Sequence, residues 1–191
     1  LRVAVAAAEF GLPIAPGTLR NLKKCPIGDR NWADESRELF IRLLASGPAL
    51  LNVWEDIDFI DVPGKPIPEW LGVRNRPSAS AAHRYTIDRH MVEVVTRLGR
   101  ETPSGGRYDD RHYEALLLAG ILHDIGKRPG VANHAAEGAR HATVVVERMG
   151  FDRDIVRWVT LLVREHLTLS EFATGRNPND PNVGDDLAGR L

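Results

Sequence analysis

Apolar residues recur at three- and four-residue intervals along most of the chain, and alternating runs are scarce. That period predicts helices rather than strands. Residues 1–10 predict a first helix, stopped by Gly11 and Pro13. Pro16-Gly17-Thr18 leads a short helix through about Lys24, after which Cys25-Pro26 and Gly28-Asp29 break the chain. Ala33 to Ser46 predicts an amphipathic helix, with Leu39, Phe40, Leu43 and Leu44 on one side and Gly47-Pro48 as its stop. Residues 48–60 predict another, with Leu50, Leu51, Val53, Trp54, Ile57 and Ile60 apolar. Pro63, Gly64, Pro66, Pro68 and Pro77 then punctuate an ordered loop with a turn around Glu69-Trp70-Leu71, the best internal boundary in the chain.

The second half predicts four clearer helices. Thr86 to about Leu98 carries Ile87, Met91, Val94 and Val95. Tyr113 to about Ile125 is almost continuously apolar and is expected to be the central buried helix, with Gly126 suited to a left-handed cap. His134 to Met149 follows, ended by Gly150. Asp152 to His166 is the fourth, with Asp152 as its N-cap. The tail from Thr174 is rich in Asn, Pro, Asp and Gly, and Gly184 to Leu191 predicts one more short helix. The expected fold is all-α, a helical bundle of residues 79–191 with a helical lead-in, residues 1–78, packed against it. Trp54 and Trp70 are expected to pack in that lead-in.

Composition narrows the function classes. The 191 residues are 43% hydrophobic and 27% charged, with a formal net charge of −1. That balance gives no electrostatic footprint for nucleic acid or an anionic membrane. No apolar run is long enough to span a bilayer. The apolar opening Leu1 to Ala8 is too short for a signal peptide and runs into Glu9. The single cysteine, Cys25, excludes an intramolecular disulfide and a cysteine–zinc cluster; it reads as an ordinary buried or half-buried thiol. A reducing cytoplasm is the expected setting. Without an initiator Met, and with apolar periodicity from residue 1, the chain reads as a fragment of a longer protein.

Six of the seven histidines follow residue 83. The sharpest feature is Leu122-His123-Asp124-Ile125-Gly126-Lys127, an adjacent His and Asp at the end of the most apolar helix. Charged groups are rarely buried unless paired or bound to metal. Taken alone, the pair is read equally well as a His–Asp hydrogen bond. However, His90 lies on the preceding helix, His134 opens the next, and His166 closes the fourth, preceded by Glu165. Imidazoles and carboxylates together suit hard or borderline divalent cations. His141 and His112 are expected to be peripheral.

His90 and the His123-Asp124 pair resemble the HD superfamily of metal-dependent phosphohydrolases over roughly residues 83–177. A narrower resemblance adds Pro68-Glu69-Trp70, Val73-Arg74, and the string His83-Arg84-Tyr85-Thr86-Ile87-Asp88-Arg89-His90. It continues through Asn133-His134, Gly138-Ala139, Leu162 to Leu167 and Ala173-Thr174-Gly175-Arg176. These segments are similar to the bifunctional uridylyltransferase/uridylyl-removing enzymes of bacterial nitrogen regulation. In that family an HD domain follows a nucleotidyltransferase domain and precedes small-molecule-sensing domains, where glutamine control would reside.

The resemblance implies hydrolysis of a phosphodiester, removing UMP or AMP from a tyrosine of the PII signalling protein. It implies His90, His123 and Asp124 as ligands of a divalent metal, manganese or magnesium foremost, with iron and zinc as alternatives. Asp124 is also assigned a catalytic role. Lys127 is either a phosphate contact or a cation at a helix C-terminus. His134 and His166 are implied for a second metal or for phosphate contact; His83 matches too. Two positions depart from the pattern. Asn177 stands where a final aspartate ligand is usual, with Asp180 as a substitute, and Glu165 stands where a paired histidine is common. These departures keep two alternatives open: a degenerate HD domain that binds a nucleotide or protein, and a hydrolase of free nucleotides.

Overall fold

The computed structural model describes residues 1–26, 31–78, 84–99, 110–177, 180 and 182–190; His83 and Pro178 lie outside them. The fold is all-α, as expected. Among the described residues the only strand-like pairing is a single antiparallel bridge between Pro77 and Thr86. In chain order the helices are α1 (Arg2–Phe10), α2 (Pro16–Lys24), α3 (Asp34–Leu44), α4 (Ala49–Phe59), α5 (Ile87–Leu98), α6 (Asp110–Leu122), α7 (His134–Met149), α8 (Arg153–Arg164), α9 (Thr168–Gly175) and α10 (Asn182–Arg190). A 3-10 turn, Pro68–Gly72, interrupts the loop between α4 and α5.

Helix ends follow local chemistry. Asn133 caps α7 by accepting from the Ala136 N–H, and Gly150 ends that helix in the left-handed region at φ 83°. Asp152 caps α8, as expected, accepting from the N–H groups of Asp154 and Ile155. Each such cap satisfies backbone donors that the helix itself leaves unpaired.

One hydrophobic cluster runs from Ala4 in α1 to Val163 in α8. Helix α6 lies at its centre: Tyr113, Ala115 and every residue from Leu117 to Leu122 are buried. It packs against α5 and α8, and α7 packs on α8. The lead-in helices α1, α3 and α4 join the same core, with α4 against α5 and α3 against α6. Trp54 and Trp70 meet edge to face there, ring centroids 5.3 Å apart.

Several elements differ from expectation. Helix α6 starts at Asp110 and stops at Leu122, so His123 to Gly126 form a turn beyond it. Gly126 is not a left-handed cap, since it is absent from the residues with positive φ. Its lack of a side chain serves close packing instead: a Cβ there would lie 2.3 Å from the Gly138 nitrogen and 2.4 Å from the His134 oxygen. Helix α9 occupies Thr168–Gly175, where no separate helix is read from the sequence. Cys25 is exposed rather than buried, because α2 has no buried residue and Cys25 follows its last turn.

Candidate metal centre

Five side chains meet where the N-terminal ends of α5 and α7 approach the C-terminal ends of α6 and α8. His90 stands in the first turn of α5, and His134 is the first residue of α7. His123 and Asp124 occupy the turn after α6, and His166 the turn after α8. Ending α6 at Leu122 matters here. Neighbouring residues within a helix diverge by about 100°, whereas the turn lets both side chains join one cluster.

His90, His123 and Asp124 each offer a ligand atom within 4.8 Å of the others, and so do Asp124, His134 and His166. Asp124 belongs to both triads. Its Oδ1 lies 3.7 Å from His134 Nε2 and 3.6 Å from His166 Nε2, and its Oδ2 lies 3.6 Å from His123 Nε2. The His123 ring sits 5.1 Å from that of His90 and 5.3 Å from that of His166, centroid to centroid.

Backbone carbonyls set the orientation of two rings. His123 Nδ1 is 2.9 Å from the Gly120 oxygen, and His166 Nδ1 is 2.7 Å from the Val163 oxygen. A carbonyl only accepts, so each Nδ1 carries the proton and directs Nε2 into the cluster. The Nε2 atoms of His134 and His166 are buried without a hydrogen-bond partner. Burial pushes the His123 imidazole down to about 4 against the pull of Asp124, so the ring is neutral near pH 7. Burial also lowers His134. It acts against ionisation of Asp124 too, but His166, His123 and Lys127 outweigh it and hold that carboxyl far below the carboxylate range. For His166 burial pulls downward, yet the contact with Asp124 prevails and raises it. An anionic carboxylate among four imidazoles, with the Nε2 atoms of His134 and His166 lacking a hydrogen-bond partner, is a donor set that fits a divalent cation.

The chain is 39% identical over 184 residues to a bifunctional uridylyltransferase/uridylyl-removing enzyme of Streptomyces coelicolor, covering 95% of the chain and 21% of the relative. It is 36% identical over 184 residues to the enzyme of the same name from Mycobacterium tuberculosis, covering 96% of the chain and 22% of the relative. With that from Corynebacterium glutamicum the figures are 31% over 190 residues, 98% and 26%. Nearly the whole chain is homologous to one segment of these enzymes. It spans about a fifth to a quarter of their length. No protein-family model matches the chain, and no solved structure does.

Around this segment's cluster, Lys127 directs Nζ to within 3.2 Å of Asp124 Oδ2, placing a cation at the rim. Asn177 is exposed two residues beyond α9. The Asp180 carboxylate accepts from the backbone and side chain of Asn182, which commits it to its own turn. Glu165 accepts from the Thr168 hydroxyl at 2.5 Å and from Arg190 at 3.1 Å, and it is not among the clustered ligand atoms. His141 is buried beside Glu137, 3.0 Å away, and His112 stacks on Trp158 at the surface; both are outside the cluster.

The supports of the centre were less visible in the sequence. Arg128 donates to the Glu69 carbonyl at 2.8 Å, and Arg148 pairs with the Glu69 carboxylate at 2.6 Å. The turn that follows Asp124 is thereby tied to the Pro68–Gly72 segment. Only the presence of Glu69 and Trp70 in a proline-punctuated stretch hints at an ordered element there.

Proposed function

We propose that this chain is a metal-dependent HD phosphohydrolase that removes a nucleotidyl group, UMP or AMP, from a tyrosine of the PII signalling protein in the cytoplasm. The observation that carries the reading is the pair of triads sharing Asp124, with the Nε2 atoms of His134 and His166 buried without a protein partner. The name of these relatives, uridylyl-removing enzyme, supports the reaction class. Other domains of a full-length enzyme would supply the nucleotidyl-transferring activity and its control.

His90, His123 and Asp124 would hold one divalent ion, and Asp124, His134 and His166 a second; manganese or magnesium is the first expectation, with iron or zinc also suited to imidazoles. Such an ion polarises a phosphoryl oxygen and makes water a competent nucleophile near neutral pH. The chain's own groups do the rest. The Gly120 and Val163 carbonyls fix the tautomers of His123 and His166. Asp124, anionic and buried, is the acceptor available to orient an attacking water. Lys127 is placed to meet a phosphoryl oxygen as a point charge. Asn177 is a candidate outer ligand through its amide oxygen.

The engagement of Glu165 with Thr168 and Arg190 favours a second reading, a degenerate HD domain that binds a nucleotide or partner. The deciding experiment follows UMP or AMP release from nucleotidylated PII with manganese, magnesium or chelator, for this chain and for Asp124→Ala. Metal-dependent release that is lost in the variant supports the hydrolase. Absence of release from folded protein under every metal moves the assignment to the binding module. Release from free nucleotides but not from the modified protein would instead identify a nucleotide hydrolase.

A further inference from the structure

A second cleft lies on the other side of α5. Asp88 and Val92 on α5 line it, and His90 sits about 200° around the helix from Asp88. Leu51, Trp54 and Phe59 from α4 and Trp70 from the 3-10 turn form its apolar wall, enclosing about 340 Å³. That volume admits a small organic molecule rather than a single water or ion. Phe59 stands 84% exposed, a large aromatic side chain left on the surface.

The polar lining is unequally satisfied. Arg74 pairs with Asp58 at 2.8 Å. Arg89 pairs with Glu55 and, at 3.1 Å, with Glu93. Both guanidinium groups are therefore paired with other carboxylates, and Arg74 feels the Asp88 charge only as a lesser contribution beside those of Asp58 and Asp61. Asp88 is 7% exposed, and one of its oxygens accepts from the Asn75 N–H at 2.8 Å. Its Oδ1 is buried with no hydrogen-bond partner, and so is Trp54 Nε1. A buried carboxylate oxygen without a donor is costly, and here it belongs to a residue lining an aromatic cleft. Carboxylate and aromatic faces together are the chemistry that holds an organic cation.

We propose that this cleft binds a small ammonium compound with an apolar body, its N–H⁺ donating to Asp88 Oδ1 and its body lying against Trp54 and Phe59. The site is separate from the metal centre and does not depend on the hydrolase reading. The first turn of α5 would then serve two sites, with Asp88 facing one and His90 the other.

The test titrates the intact chain with three ligands of one shape and different charge: 2-phenylethylammonium, 2-phenylethanol and phenylacetate. The readout is the Trp54 indole N–H resonance, assigned with Trp54→Phe. A saturable shift with the ammonium ligand, weaker with the alcohol and absent with the carboxylate, is the expected result. Asp88→Asn, which keeps an acceptor for Asn75 but removes the charge, should weaken ammonium binding about tenfold or more, the loss expected for a charge-assisted hydrogen bond. Lack of a saturable shift, equal affinity for ammonium and alcohol, or unchanged affinity in folded Asp88→Asn overturns the proposal. If Asp88→Asn does not fold, the charge series on the unaltered chain decides alone.

Discussion

Gly126 and Gly138 pack backbone to backbone, joining the turn that carries His123 and Asp124 to the helix that begins at His134. A Cβ added to Gly126 would lie 2.3 Å from the Gly138 nitrogen and 2.8 Å from its Cα. Those atoms belong to α7 and cannot yield like the tip of a side chain. Gly126→Ala should therefore cost about 2–4 kcal/mol of stability, spanning the upper end of the range for overpacked cores. It should also weaken metal binding, because relief requires moving His134 away from Asp124. Gly138→Ala is the milder change: its Cβ would sit 3.3 Å from the His123 oxygen and from a Val163 methyl. Urea unfolding and metal titration of both variants check the ordering; equal effects would contradict it.

Asp124 and Lys127 should separate in their consequences. Asp124 is the carboxylate common to both triads, so Asp124→Ala should abolish specific manganese binding as well as turnover. Lys127→Met keeps the ligand atoms and the bulk of the stem while removing the charge. It should retain manganese binding within a few-fold but reduce turnover on the proposed substrate by about 100-fold or more, the scale for a lost electrostatic contact in a transition state. Calorimetric titration and single-turnover kinetics distinguish the two. Loss of metal binding in Lys127→Met would instead make the Lys127–Asp124 pair a structural support.

Both ends of α7, the start of α8 and the central burial of α6 were legible because each rests on local signals: a capping Asp, a terminating Gly, an apolar run. Helix α8 itself stops at Arg164, two residues short of the expected His166, where no terminating glycine marks its end. The five clustered residues were legible as a set because four successive helices each supplied an imidazole at or near an end. Gly126 was misread as a left-handed cap because local sequence cannot tell a glycine needed for its φ from one needed for a neighbour's approach. Helix α9 was missed because Thr168–Gly175 is short and its one buried residue is Thr168, so no apolar stripe announces it. The Glu69–Arg148 pair joins residues 79 apart in sequence, a separation at which no period or motif operates.

Metal should stabilise the fold as well as complete the centre. The clustered groups are spread along the segment from His90 to His166, so cations held at the two triads would together tie α5, α6, α7 and α8. Free manganese at 100 times its Kd should add about 2.7 kcal/mol to unfolding, by mass action alone. The thermal midpoint should rise with manganese and return on chelation in the unaltered chain, but not in Asp124→Ala. An equal rise in that variant would place the stabilising ion elsewhere.

The Glu69–Arg148 pair gives a pH-dependent prediction with a definite sign. Burial alone would raise the Glu69 carboxyl; its hydrogen bonds to Arg148 outweigh that and hold it below its ordinary 4.5. A carboxyl with a depressed folded value contributes stability that is present above the unfolded value and is lost as pH falls through the folded one. Both partners are largely enclosed, with 12% of the Glu69 side chain and 19% of the Arg148 side chain exposed, so salt screens the pair less than a surface one. Glu69→Gln should therefore cost about 1.5–2 kcal/mol near pH 7, at the lower end of the range for a charge-assisted hydrogen bond. The difference between the two proteins should shrink as pH drops below 4.5, where Glu69 in the unfolded chain is already protonated, and close once it is protonated in both states. Urea unfolding of both proteins from pH 7 down to 3 measures this gap. A constant gap across that range would assign the loss to packing around Arg148 rather than to the charge on Glu69.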